Sequence, residues 1–492
     1  MGRAGSSPAV RTIIAGALLL LAGCERRPDV GPVIVSAIGE GPDLGNAGGV
    51  PRGFPGRLLA DSIAQGLVRF DAAGQIEPGI AERWIVTDQG RTFIFRLREA
   101  YWPDDKAVTA AEVGAALKRR LSARADNPLL PYLSAIDSVV EMTPQVIQIE
   151  LSRPRPDLLK LFAQPELTIM RPGQPGGAGP LRLDGKPGRI TRLAPPHDPD
   201  RAEGEQSAPK PEDRVVLITE RAAAAVARFV AHKSDLVMGG TLSDWPLVAA
   251  AGAPPGNVRL DPAAGMFGLA IVDRSGFLST AENRAAIALA IDRAALTESF
   301  AADWEPVEDL LPAALDSSAP PARAPWTEIA PADRAAEARA RVARWRAENG
   351  EIPTVRIALP AGPGGTLLWG QIAAALYAVG IRPERAALDD PDSDLRLIDA
   401  VAPYDSARWY LNTACQPCSE QATAAIDAAR TAPTLAERAT TLAAADAALA
   451  EDVAFVPIAR PFRWSLVALR LRAWQPNERA WHPLNRLRID TK

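Results

Sequence analysis

The stretch that decides the fold is residues 61–121, DSIAQGLVRFDAAGQIEPGIAERWIVTDQGRTFIFRLREAYWPDDKAVTAAEVGAALKRRL. Gly66-Leu67-Val68-Arg69-Phe70-Asp71 leads through a turn at Gly74 to Pro78. Ala81-Glu82-Arg83-Trp84 and a polar turn at Asp88-Gln89-Gly90 follow. Over 92–98, Phe93, Phe95 and Leu97 alternate with Thr92, Arg96 and Arg98, the two-residue period of a strand with one buried face. Thr109 and Glu112 have the spacing of a capping box, in which hydroxyl and carboxylate satisfy each other's backbone amides, so a helix starts there. Val113, Ala116, Leu117 and Leu121 line its apolar side. The block reads as two β units and a capped helix on a small sheet, with nothing catalytic in it.

The chain has 492 residues, 47% hydrophobic and 23% charged, which is length enough for two or three domains. A mean hydropathy of −0.04 excludes a polytopic membrane protein. The formal charge of −4 gives no basic excess for nucleic acid. Gly185-Lys186 is followed by Pro187, so the phosphate-cradling loop is missing, and no dinucleotide fingerprint replaces it. With 3 His and neither a nucleophile elbow nor a zinc-protease helix, hydrolase chemistry is poorly supplied. The expectation is a protein that is not an enzyme, without cofactor or metal.

The first residues read as a targeting segment. Arg3 and Arg11 precede an apolar run at 13–22, too short to span a bilayer, which ends Leu21-Ala22-Gly23-Cys24. This looks like a bacterial lipobox and implies cleavage before Cys24 and lipidation of its thiol; ordinary secretion or an uncleaved anchor are the other readings. Loss of Arg3 and Arg11 would take the formal charge from −4 to −6. Residues 24–32 form a polar linker. Cys415 and Cys418 form a C-x-x-C in loop-like sequence. A short disulfide suits an exported chain, while free thiols, a redox pair or a metal site remain open.

The rest alternates strands and helices. Strands are expected at 33–38, 146–151, 215–219, 234–238, 266–273, 352–359 and 453–458. Helices are expected at 157–162, 221–231 and 333–349, from a Ser279/Glu282 capping box, from Ile291-Asp292-Arg293, around Leu368 to Gly380, and from a Thr434/Glu437 capping box. Residues 194–214 read as a Pro-rich, charged surface loop. Trp464, Trp474 and Trp481 read as packing for a carboxy-terminal cap more than as a ligand platform.

The order of residues in 61–121 resembles the signature of extracellular solute-binding protein family 5, the oligopeptide- and dipeptide-binding proteins of bacterial ABC importers. It departs at Tyr101-Trp102-Pro103-Asp104-Asp105, where the family has Trp-Ser-Asp-Gly. ENRAAIALAIDRAAL, at 282–296, is a second match, and LYAVGIRPE and AEDVAFVPI are further ones. The resemblance implies an α/β, periplasmic-binding-protein type II-like fold, with two lobes, a hinge and cleft, and a small inserted domain. Lobe I is expected at 33–60, 168–262 and 459–492, the inserted α+β domain at 61–167, and lobe II at 263–458. It implies a monomeric periplasmic protein, tied to the membrane only by its lipid, that delivers a peptide or other small solute to ABC permease subunits. A ligand-binding protein of this fold used in signalling or in the envelope without transport is the alternative.

In peptide-binding members of the family, an Asp within W-x-A-D-Y-x-[DE]-P pairs with the ligand's α-ammonium. The matching stretch here is Ala400-Val401-Ala402-Pro403-Tyr404-Asp405-Ser406-Ala407. Ala400 stands at the Trp position and Pro403 at the anchoring Asp position. Asp399 or Asp405 would replace the anchor with a shift; otherwise the ligand is not a free-amino peptide. The ligand-binding residues expected are Met238, Asp399, Tyr404, Asp405 and Trp409.

Overall fold

The computed structural model describes residues 30–45, 49–196 and 209–488. The targeting segment, Cys24 and the middle of the 194–214 loop lie outside the described residues. Three main sheets organise the chain. The first has seven strands, in the order Val258–Leu260, Arg463–Val467, Leu236–Thr241, Val33–Ile38, Val215–Glu220, Ile190–Ala194 and Arg182–Leu183. Its centre is parallel: Val33–Ile38 pairs with Val215–Glu220 and with Leu236–Thr241. Antiparallel strands flank that centre. Val35 and Ala37 on one face of the central strand and Ser36 on the other are fully buried, as a strand covered on both faces requires.

The second sheet has five strands, in the order Arg382–Ala387, Thr354–Leu359, Leu395–Val401, Gly265–Ile271 and Phe455–Ala459. Two short crossings, at 261–264 and 460–462, carry the chain between these sheets. Its central strand, Leu395–Val401, was not among the expected elements. Its LRLIDAV does alternate Leu395 and Leu397 with Arg396, a signal overshadowed by the family motif that begins inside it.

The opening block supplies two strands of the third sheet, Ala81–Thr87 and Thr92–Leu97, which Val146–Leu151 and Ile136–Thr143 complete, all antiparallel; its Val68–Phe70 and Ile76–Pro78 pair separately. Phe93 and Phe95 are fully buried, and the ring of Phe162 meets both edge-on at 5.9 and 5.7 Å. Phe162 lies in the 3-10 segment Pro156–Ala163, which leads from this sheet toward the other two. The helix Ala110–Arg120 carries the full capping box: Thr109 accepts from the Glu112 amide, and the Glu112 carboxylate takes the Thr109 amide at 3.2 Å. The Ser279 cap shifts by one residue. The helix Ala281–Ala290 is capped by Thr280, whose hydroxyl accepts from the Asn283 amide at 3.2 Å, while Ser279 closes the preceding 3-10 turn. Helices Ala407–Ala414 and Glu420–Thr431 were not expected from the sequence.

The carboxy-terminal segment is tied back onto the first sheet's unit. Trp481 donates its indole N–H to Asp61 Oδ2 at 3.0 Å, from helix Gly53–Ile63. Burial pushes the Asp61 carboxyl up from its ordinary 3.8 to about 6; the Trp481 bond and Arg69 and Arg57 offset this in part, and Glu77 adds to it.

Phe95→Ala should destabilise the chain by about 3–5 kcal/mol, and Thr109→Ala by about 1 kcal/mol, measured as shifts in urea midpoint. An unchanged midpoint for Phe95→Ala would remove that ring from the core. For Asp61, the folded protein holds more protons than the unfolded chain between pH 3.8 and about 6. The group's contribution therefore falls as pH rises through that window. Asp61→Asn keeps an acceptor for Trp481 and should raise the melting temperature above pH 6, with the gain vanishing near pH 4. A gain of equal size at every pH would contradict a raised Asp61.

Candidate functional site

A cavity of about 340 Å³ lies where the crossings bring the two large sheets together. The first turn of helix Gly53–Ile63 supplies Phe54 and Arg57. Strand Leu236–Thr241 supplies Met238 and the Gly239-Gly240 pair. The end of the central second-sheet strand supplies Asp399, Ala400 and Val401. Arg463 and Trp464 come from the last strand of the first sheet, and the 479–482 turn brings Arg479, Trp481 and His482.

The glycine pair explains the aromatic walls. Gly239 has φ +83°, and a Cβ there would sit 2.6 Å from a Phe54 ring carbon. At Gly240 a Cβ would sit 2.2 Å from Trp464. Bare backbone lets both rings lie on the strand. Trp481 completes the wall, edge-on to Phe54 at 5.8 Å, with the Arg57 guanidinium 5.3 Å above its ring.

The charges around this wall are paired. Arg463 holds Asp399 Oδ1 at 2.7 Å and the Asp399 carbonyl at 3.1 Å. His482 Nε2 lies 3.1 Å from Asp261 Oδ2, and the Asn477 amide donates to Asp261 Oδ1 at 3.0 Å. Arg57 meets Glu166 through Nε at 2.7 Å. Arg479 donates to the Ala402 carbonyl at 3.0 Å and pairs with Asp405. Burial pushes the Arg479 guanidinium down to about 10. Lys160, from the 3-10 segment, also pairs with Asp405, and burial followed by the nearby Arg479 charge lowers its ammonium.

The expected ligand-binding residues divide. Met238 and Asp399 line the cavity. Tyr404 is buried behind it, its ring 5.7 Å from Tyr132, and burial pushes its phenol up. Trp409 is also buried, edge-on to Tyr410 at 4.9 Å. Asp405 is held by Lys160 and Arg479 and is not among the lining residues. Pro403 does line the cavity, and its carbonyl accepts from Gln164 Nε2 at 2.6 Å. Phe54, Arg57, Arg463 and Trp464 had not been expected at the site. The Gly239-Gly240 pair inside a strand was the available signal for the rings, whereas nothing in the sequence around Arg57 marked it. Cys415 and Cys418 are joined, with Cα atoms 4.9 Å apart, just after helix Ala407–Ala414.

The probable deoxycholate-binding periplasmic protein YgiS of Escherichia coli is 35% identical over 73 residues, 15% of this chain and 14% of that protein. The periplasmic oligopeptide-binding protein OppA of Haemophilus influenzae is 35% identical over 83 residues, 17% of this chain and 15% of that one. The aligned part thus spans about one seventh of the length of these curated relatives. In three dimensions the match is nearly complete. The crystal structure of Haemophilus influenzae OppA in complex with RPPGFSPFR superposes with a TM-score of 0.76 at 17% identity, over 93% of this chain and 99% of that one. The fold is therefore mixed α/β, of the periplasmic-binding-protein type II kind. Residues 75–410 match the sequence profile of the middle region of the bacterial extracellular solute-binding proteins, family 5, and the chain belongs to that family.

Proposed function

We propose that this protein captures a peptide or peptide-like solute in the cavity between its two large sheets and hands it to the permease of an ABC importer. The observation that carries this reading is the cavity itself. It has aromatic walls, paired charges at fixed positions and a volume of about 340 Å³, within the range of small-solute sites and suited to a short peptide. No bond is made or broken; capture is burial of the solute with closure of the lobes. The name of one relative points to deoxycholate and that of another to oligopeptides, so kinship supports a solute-binding role across more than one ligand chemistry.

The lobes of this reading are 33–60, 168–262 and 459–492 for the first and 263–458 for the second, with 61–167 inserted. Helix Gly53–Ile63 is one hydrogen-bonded rod, so the first boundary is better drawn at its end. Lys160 and Gln164 of the inserted unit already meet Asp405 and the Pro403 carbonyl, and Arg155 meets the carbonyls of Ala429, Arg430 and Ala432, contacts that would hold the closed arrangement of this reading. Cys24 would hold the mature monomer by lipid at the outer face of a bacterial cell membrane, raising its local concentration beside the permease. Among the described residues no helix is long and apolar enough to cross a membrane.

Native mass spectrometry of protein purified from its own envelope tests the reading: short peptides should be released on denaturation, and a sugar or a consistently empty cleft would refute it. Phe54→Ala should weaken solute binding by about tenfold, or 1.4 kcal/mol, in calorimetry, with the melting temperature of the unliganded protein little changed. Asp405→Asn leaves two cations without their shared anion. It should cost stability between the about 1 kcal/mol of an exposed pair and the about 3–5 kcal/mol of a buried one. It should also speed solute release in stopped-flow measurements; wild-type release would show that Asp405 has no part in closure.

A further inference from the structure

We infer that the solute taken by this cleft carries a carboxylate or an equivalent anionic group, that Arg57 holds that group, and that no free ammonium is required. This rests on the cavity being the solute site. The ion pairs around the cavity differ in which end faces inward. Asp399 and Arg463 both line the cavity, so their pair presents no net charge to it. Asp261 and His482 both line it, and both Asp261 oxygens are already engaged. Arg57 and Arg479 line it as well, but their counter-ions Glu166 and Asp405 do not. Those two pairs turn their positive ends inward, with the negative ends behind the wall.

Arg479 spends its donors on the Ala402 carbonyl and Asp405, and its side chain is only 4% exposed. Arg57 differs. Its side chain is 35% exposed, Glu166 touches it through Nε, and among the described residues its Nη atoms make one hydrogen bond, 3.5 Å to Gln164 Oε1. A guanidinium held from its Nε side offers its paired Nη donors to a carboxylate in a two-pronged geometry. Arg57 sits in the first turns of helix Gly53–Ile63, whose amino-terminus has no side-chain cap and no acidic residue in its first turn. That helix end adds favourable potential for an anion to a site the arginine already defines. The aromatic wall beneath Arg57 shields the contact from water and strengthens it.

The test uses titration calorimetry with Ala-Phe-Ala, its N-acetyl form and its C-terminal amide. The proteins are the wild type, Arg57→Gln, Arg57→Lys and Asp399→Asn, each checked for folding by circular dichroism. Arg57→Lys keeps a cation on Glu166 and so controls for loss of fold. Acetylation should leave wild-type affinity within about threefold, while amidation should cost about tenfold or more, the worth of a charge-assisted two-pronged contact. Arg57→Gln should weaken the acid to the level of the amide, and Arg57→Lys should fall between, having the charge without the fork. Loss of binding on acetylation, or in Asp399→Asn with Arg57→Gln unaffected, would overturn the inference and leave the peptide reading standing. If no form of the tripeptide binds wild type, the peptide reading fails, and native mass spectrometry of wild type and Arg57→Gln decides the inference. An anionic adduct present in wild type and absent from the variant supports it. A cationic or neutral adduct, or an empty cleft in both, overturns it.

Discussion

One carboxylate between two cations is the junction on which the cleft depends. Asp405 follows the central strand of the five-stranded sheet, Lys160 lies in the 3-10 segment leading out of the four-stranded sheet, and Arg479 follows the last strand of the seven-stranded sheet. Each of the three units thus sends one charged group to a single point. Arg479 is almost wholly buried, so its guanidinium needs an anion at fixed geometry to remain charged there. Gln164, four residues after Lys160, donates to the carbonyl of Pro403, two residues before Asp405. The charge pair and this bond together fix the register in which the inserted unit meets the rim of the cavity. Displacing the unit that carries Asp405 would leave the buried Arg479 guanidinium without its anion, so this contact helps to hold the rim in place.

The elements were largely legible in the sequence, because they rest on local periodicity. Val33–Ile38 lies where a strand was expected, and Val146–Leu151 lies where alternation placed it. The Thr109 and Thr434 caps form from residues three apart. The misses have local reasons too. Ser279 and Thr280 are both competent caps, and the preceding 3-10 turn decides between them. Helix Ala407–Ala414 buries Ala407, Arg408, Trp409, Tyr410 and Leu411 in succession, so it shows no clean polar face to read. The family itself was legible because its signature is a run of turns and strand residues, and these serve the sheet more than the ligand.

The site was far less legible, because its contacts join distant positions. Asp61 and Trp481 are 420 residues apart, and Asp399 and Arg463 are 64 apart. No window of sequence shows such a pair. Of the five residues expected at the ligand, Tyr404 and Trp409 turned out to be packing groups, since a motif aligned by order alone says nothing of which way a side chain points. The strand before them ends at Val401, and its last residues, Asp399 to Val401, are the ones that border the cavity.

What then sets the character of the cleft is a trade made on one strand. Gly239 and Gly240 weaken Leu236–Thr241 as a strand, because glycine gains nothing from packing and loses more freedom on folding. In return the strand's face lies open to two rings, Phe54 and Trp464, that no larger residue would admit. Phe54 in turn meets Trp481 edge-on, and the Arg57 guanidinium lies over the Trp481 ring. A guanidinium beside an aromatic wall attracts an anion more strongly than the same group in solvent, since the local dielectric is lower and its counter-ion Glu166 lies on the far side. On the inferred reading, two residues without side chains and one with a long cationic one would define the recognition chemistry together: the glycines admit the rings, and the rings place the charge of Arg57 beside an apolar surface.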